Sequence, residues 1–348
     1  MGNKGLNTQR EIHSQPQVWT QTLTELSKAQ IDTLPANNGL DQYLVTGCGS
    51  TYYISIWAAN IIQSKLEVFS RPLPASELLM FPGTWKISDH SIHLLAISRS
   101  GTTSETVAAV KQIKENGKIK TSVVTCYPES ELALLADTLI ATPAAQEKSI
   151  AQTRSFTNMM LGISYLLEGE VKAGLPRQLA ESGTALIKNY SGLMKDIAND
   201  KEIDRFFFLG SNQYYGLACE AMLKMKEMSL SYSEAYHFLE FRHGPMSMVN
   251  NQSLVVGLIH KENLQHELRV LKDMKELGGK ILAIGYELGD DIPDWIDYYI
   301  PTGLSQAGSF SDVLYLPLLQ ILSFERARSK GLDPDNPHNL SAVVVLDL

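Results

Sequence analysis

Residues 43–51, YLVTGCGST, decide how this chain folds. Tyr43-Leu44-Val45-Thr46 is a short apolar run suited to a buried strand, and Gly47-Cys48-Gly49-Ser50-Thr51 breaks it. Apolar Ile54, Trp57, Ala58 and Ile61 then recur at helical spacing. Strand, glycine-bearing loop and helix N-terminus make a cradle for an anion, because N–H groups meet the positive end of a helix dipole there. Such Gly/Ser turns are also common connectors, so one of them decides nothing about function. The pattern returns about 163 residues later as Phe206-Phe207-Phe208-Leu209, the loop Gly210-Ser211-Asn212-Gln213, and a helix from Tyr214. Further strands are read at 93–97 (HLLAI), 121–126 (TSVVTC) and 138–141 in the first copy, and at 254–259 (LVVGLI) and 281–284 (ILAI) in the second. Strands alternating with helices imply an α/β fold with a doubly wound parallel sheet, built twice by internal duplication.

A chain of 348 residues suits two such domains. The expected division is a helical lead at 1–35, a first domain at 36–170, a helical connector at 171–200, a second domain at 201–332 and a tail at 333–348. In the lead, a short polar stretch precedes a helix starting near Pro16. The connector carries a helix around Leu179 to Met194, and a closing helix runs from Tyr315 to Arg328. The tail, DPDNPHNLSAVVVLDL, is too apolar at its end to be left in solvent.

Hydrophobic content of 44% with 20% charged residues is that of a soluble globular protein. A net charge of −8 with no basic run argues against a nucleic-acid partner, though not against a small anion. Cys48, Cys126 and Cys219 are odd in number and far apart, and they read as reduced thiols of a cytoplasmic protein. No apolar run approaches the ~18 residues of a membrane span, and the N-terminus lacks a signal-peptide core, so no membrane partner is expected. The close histidine pairs, His90/His93 and His237/His243, lack the cysteine or carboxylate pattern of a zinc site, and neither metal nor cofactor is expected.

Two further stretches carry chemistry. Ser98-Arg99-Ser100-Gly101-Thr102-Thr103-Ser104 crowds hydroxyls and an arginine around one glycine at a helix start, which suits a phosphate monoester. The competing reading is a heavily capped helix with Thr103 or Ser104 as N-cap. In 220–245, EAMLKMKEMSLSYSEAYHFLEFRHGP, Glu220, Lys224 and Glu227 fall at i, i+4 and i+7 on one helix face amid Leu217, Ala221, Met225 and Met228. The following segment packs Glu234, His237, Glu240, Arg242 and His243 ahead of Gly244-Pro245. Stripe and segment are expected to bring carboxylates and imidazoles within reach of one pocket, as proton transfer at carbon and oxygen requires. A solvated helix face with ion pairs followed by a polar loop is the plainer alternative.

With these pieces placed, GCGSTYY, ISRSGTTSET, AQTRSFT, CEAMLKMKEMSLSYSEAYHFLEFRHGP and DPDNPHNL together resemble the sugar isomerase (SIS) domain family, in tandem. The likeness runs from about Arg10 to Leu340 and is strongest to the isomerase half of glucosamine-6-phosphate synthase and its stand-alone relatives. The resemblance implies that Thr51, Ser98, Ser100 and Thr103 hold a sugar phosphate, with Arg99 where the synthase has glutamine. It extends the substrate site to Cys48, Gly49, Ser50, Ile150 and Gln152, the last standing where the synthase has serine. It implies that Glu227 is the acid/base at C1 and C2, with Glu220 and Lys224 beside it, and that His243 opens the sugar ring from the neighbouring subunit of a homodimer. Two departures bear on the reaction. No glutaminase domain or N-terminal cysteine nucleophile is read in the chain, so ammonia from glutamine is not expected. Ala342 stands where the synthase tail has its Schiff-base lysine, so the chemistry is expected to run by proton transfer on the open-chain substrate.

The expected function is therefore that of a phosphosugar aldose–ketose isomerase or deaminase of the glucosamine-6-phosphate type. A deglycase acting on a phosphorylated amine adduct, or a tagatose-6-phosphate-type isomerase, would use the same groups. A sugar-phosphate sensor without turnover would need neither Glu227 nor His243.

Overall fold

The apolar runs become strands because both of their faces are covered, which is why they read as unbroken hydrophobic stretches. The computed structural model describes residues 4–29, 31–34, 39–86, 91–115, 119–304, 307–341 and 346. After α1 (Leu6–His13) and α2 (Gln15–Leu26) come β1 (Gln42–Gly47), α3 (Ser50–Leu66), β2 (Phe69–Pro74), α4 (Ala75–Met80), β3 (Ile92–Ile97), α5 (Ser104–Lys114) and β4 (Lys120–Thr125). Next are α6 (Glu131–Leu134), β5 (Thr138–Ala141), α7 (Arg154–Glu168) and α8 (Leu175–Asn199). The second half contains β6 (Arg205–Gly210), α9 (Tyr214–Ser229), β7 (Tyr232–Tyr236), β8 (Ser253–Ile259), α10 (Leu264–Glu276), β9 (Lys280–Gly285), β10 (Tyr298–Pro301) and α11 (Leu316–Ser329).

Two five-stranded sheets result, ordered β2-β1-β3-β4-β5 and β7-β6-β8-β9-β10, and every pairing is parallel. The second order is the first with each strand advanced by five, so the duplication extends to topology. Each sheet has its switch point where the winding reverses, between β1 and β3 in one and between β6 and β8 in the other. In open parallel sheets, ligands bind outside the carboxyl ends of the strands at that point.

The chain forms two compact units. The first holds Ser14–Lys148 and Gln152–Ala180; the second holds the residues through His13, Ser149–Ala151 and Glu181–Leu340. The first core joins Leu44, Leu94, Ala96 and Val123 of the sheet to Leu78, Val107, Val110 and Ile113 of its helices. The second joins Phe207, Val255 and Ile281 to Val270, Leu271 and Met274.

Three strands had no counterpart in the sequence reading: β2, β7 and β10. All are edge strands, and FSRPLP and YYIP each carry proline, which an edge tolerates and a central strand does not. The lead expected as polar before Pro16 is helical from Leu6, because Asp335 supplies the missing cap. Its carboxylate accepts the N–H groups of Asn7 and Thr8 at 2.9 and 2.8 Å, while Asp333 accepts that of Gly5 at 2.8 Å. In the tail, Leu340 and Leu346 are exposed, against the expectation of burial, and Ala342 lies outside the described residues. No helix among the described residues is long and apolar enough to cross a membrane.

Candidate active site

In the first unit, the β1 loop turns because two glycines permit it. A Cβ on Gly47 would lie 2.6 Å from the backbone carbon of Thr51, and Gly49 has φ +55°. Thr51 is buried and folds back on this turn, its hydroxyl accepting from Cys48 N and donating to Cys48 O, both at 2.9 Å. The residue expected to hold phosphate thus shapes the loop. Ser50 is buried, Gly49 is exposed, and burial pushes the half-buried Cys48 thiol up in pKa.

Across the switch point, the β3 loop wraps around Gly101. Its φ is +65°, and a Cβ would strike Ser130 Oγ at 1.9 Å. Ser98 Oγ accepts Gly101 N–H at 3.1 Å and lies 3.3 Å from Thr103 Oγ1, while Ser100 Oγ accepts from Thr102 N at 3.2 Å. Thr103 occupies the N-cap position of α5 without a side-chain capping bond. Thr103 thus takes the N-cap position that the competing reading expects, but its hydroxyl does not cap the helix and lies instead by Ser98 Oγ. Arg99, expected in the substrate site, is engaged by the protein itself. Its side chain is 9% exposed and its guanidinium is paired at 3.2 Å with Glu147, whose side chain is wholly buried. Gln152 belongs to this unit and carries a buried Oε1 without a hydrogen-bond partner, whereas Ile150 belongs to the second unit.

In the second unit, Glu220, Lys224 and Glu227 share one face of α9, as the spacing predicts. Lys224 lies 3.3 Å from Glu220 and also bonds Glu227. Glu220 and Lys224 are buried, at 0% and 1% side-chain exposure, and only Glu227 reaches solvent, at 18%. Burial pulls the lysine pKa down, but the two carboxylates outweigh it, so the ammonium is held above the ordinary lysine value.

The corresponding positions in the first unit show what this arrangement replaces. A Cβ on Gly210 would lie 2.3 Å from Tyr214 O, as Gly47 meets Thr51, so α9 and α3 begin alike. Counted from those starts, Glu220, Lys224 and Glu227 correspond to Trp57, Ile61 and Ser64. Trp57 and Ile61 are buried core. The same burial is filled with apolar groups in one unit and with ions in the other.

The second unit's own switch point is filled by side chains. Tyr214 donates to Asp312 Oδ1 at 3.2 Å, and its ring lies 5.0 Å from Tyr315 and 5.1 Å from His260. Glu267 is buried and accepts the N–H of His260 at 2.7 Å; burial raises its pKa. Sequence reasoning missed this cluster because its members are scattered between residues 214 and 315.

The segment after α9 does not gather its charges into one pocket. Along β7, alternate residues share a face, so the hydroxyls of Tyr232 and Tyr236 each donate to Glu234 at 2.9 Å. Arg242 pairs with Asp273, and His237 stacks on Tyr215 with ring centroids 3.9 Å apart. Glu240 and His243 are exposed. Among the described residues, no hydrogen bond or ion pair joins His243 to the triad on α9. No group of three or more His, Cys, Asp or Glu among them is placed to hold a metal ion. His93, half of one histidine pair, is a buried core residue bonded to Ser122 at 2.9 Å; His90 lies outside the described residues.

Residues 41–168 and 201–300 match the SIS domain. Among solved structures, glucosamine-6-phosphate deaminase from Thermotoga maritima is 26% identical, with a TM-score of 0.78 over 98% of this chain and 100% of that one. A Clostridium novyi NT protein assigned as a tagatose-6-phosphate ketose/aldose isomerase is 25% identical, with a TM-score of 0.83 over 99% of this chain and 95% of that one. Among curated proteins, the isomerizing glutamine–fructose-6-phosphate aminotransferase of Pyrobaculum aerophilum is 28% identical over 356 residues. That alignment takes in 97% of this chain and 57% of the relative, so the chain spans little more than half its length.

Proposed function

The chain belongs to the SIS domain family, and on that premise we propose that it is a phosphosugar isomerase that deaminates a 6-phosphorylated amino sugar. The observation that carries this reading is the Glu220–Lys224–Glu227 triad, whose buried Glu220 and Lys224 stand where the duplicate unit buries Trp57 and Ile61. Burying ions where an apolar core would serve is at best neutral for stability, and apolar replacement of such groups is often favourable by about 1–4 kcal/mol. A catalytic requirement accounts for keeping them.

In this reading Ser98, Ser100, Thr103 and the N–H groups of the Gly47–Ser50 and Ser98–Ser104 loops hold the phosphate. Glu227, beside Lys224, takes the C2 proton of the open-chain aldehyde and returns it at C1. With an amine on C2, the product is a ketimine, which water hydrolyses to the ketose phosphate and ammonia. His243 would serve ring opening, acting on the neighbouring subunit's substrate in a homodimer. Support for the amino-sugar substrate comes from the length-matched likeness to the Thermotoga deaminase. A second reading, aldose–ketose isomerisation of a sugar phosphate without an amine, is supported by the equally complete likeness to the Clostridium protein.

A panel of phosphosugars assayed for ammonia release and for aldose–ketose interconversion tests both. Ammonia from glucosamine-6-phosphate supports the first, and interconversion without ammonia supports the second. Cleavage of a phosphorylated amine adduct alone would make it a deglycase, and binding without turnover would overturn the catalytic reading.

A further inference from the structure

Glu147 is a heavily engaged carboxylate of the first unit, and nothing in the chemistry proposed above uses it. It lies between β5 and α7 with its side chain wholly buried. Its two oxygens accept from Thr153 N at 3.2 and 3.1 Å, from Thr153 Oγ1 at 2.9 Å, from Ser155 N at 3.4 Å, and from Ser155 Oγ. These donors open α7, whose N-cap residue Thr153 makes no side-chain capping bond of its own, so Glu147 caps the helix from six residues upstream. The same carboxylate receives Arg99 Nη1 at 3.2 Å. Arg99 stands between Ser98 and Ser100, and its carbonyl is fixed in turn by Cys126 N–H and Thr125 Oγ1, each at 3.1 Å.

We infer that Glu147 is a positioning residue for the phosphate loop, acting through Arg99. It fastens the Ser98–Thr103 turn to the start of α7 and neutralises the one cation in the loop. Phosphate is then met by hydroxyls and N–H groups held in a fixed geometry. A buried carboxylate with so many donors is stiff, and a loop tied to it loses little further freedom when ligand arrives. The inference rests on the functional reading above, since it presumes that this loop holds phosphate.

The test is a double-mutant cycle on the full chain, with inorganic phosphate binding by calorimetry beside KM and kcat for the phosphosugar that the panel identifies. Loss of one charge-assisted tie should cost about tenfold in phosphate affinity and in KM for Glu147→Gln, with kcat within about twofold. Arg99→Met should do the same, and the double variant should be no worse than either single, because both remove one interaction. Singles whose effects multiply would leave Glu147 as a cap of α7 alone and overturn the inference. Should Glu147→Gln fail to fold, Arg99→Met decides, since it leaves the α7 cap in place; unchanged phosphate affinity in that variant overturns the inference. Phosphate binding by the wild-type chain with equal binding by the variants overturns this assignment alone. No phosphate binding by the wild type overturns the functional reading and this assignment with it.

Discussion

The two units repeat one scaffold and fill it with opposite chemistry. At the first switch point the loops offer donors: the hydroxyls of Ser98, Ser100 and Thr103, with Gly101 keeping the turn open. At the second, Tyr214, Tyr315, Asp312 and Glu267 occupy the equivalent place with groups of their own, two of them carboxylates. On the following helix the contrast reverses. The first unit buries Trp57 and Ile61, and the second buries Glu220 and Lys224. The comparison teaches that topology is duplicated while the side chains diverge, with a hydroxyl-rich loop in one unit and a charged helix face in the other. A buried charge says more here than it would alone, because its apolar counterpart in the same chain demonstrates that the fold does not need it.

The strongest way to break that comparison is to make the second helix like the first. Glu220→Leu combined with Lys224→Ile should lower kcat by about 10⁴-fold. The protein should remain folded, with unfolding free energy unchanged or raised by about 1–4 kcal/mol in denaturant titrations. Retained activity would remove the triad from the chemistry. Collapse of stability would make it structural.

A smaller effect separates the two sheets by pH. His93 stands opposite Tyr43 in the first sheet, where the second has Leu254 opposite Phe206. Burial pushes the His93 imidazole down to about 4, from an unfolded value near 6.5. Between those values the unfolded chain holds the extra proton, so stability rises with pH across this window and is lost as pH falls. The loss should approach about 3 kcal/mol by pH 4, and His93→Gln should flatten the slope in that range. An unchanged slope in the variant would show that His93 is not the titrating group.

Smaller again is the change at the donor loop. Ser100→Ala should raise KM by about ten- to a hundredfold and leave kcat nearly unaltered, since phosphate is held alike in ground and transition states. An unchanged KM would take this loop out of the site.

How much of this was legible in the sequence follows from the range of the interactions concerned. Central strands such as β1, β3, β6 and β8 announce themselves as continuous apolar runs, because both faces are buried. The edge strands β2, β7 and β10 are partly exposed and carry proline or polar residues, so they resemble loops. The triad on α9 was legible because helical spacing is local. The pairing of Arg99 with Glu147 spans 48 residues, and no local pattern marks an arginine in a hydroxyl-rich loop as already neutralised. The role of Thr51 in the turn was hidden for a related reason: nothing local shows that its hydroxyl bonds Cys48 N and O. Glu234 misled because a strand's twofold period hands it to Tyr232 and Tyr236.

The proposed function assigns proton transfer to Glu227, the one member of the triad that reaches solvent. The most direct measurement is exchange of the substrate C2 proton with solvent deuterium, followed by NMR on the open-chain-competent phosphosugar, glucosamine-6-phosphate first. The wild-type chain should wash that proton out during turnover, and Glu227→Gln, which keeps size and polarity but cannot accept a proton, should slow the washout and kcat together by about 10²–10⁴-fold with KM little changed. Washout at the wild-type rate in the Gln variant would contradict the assignment and move the base to another residue.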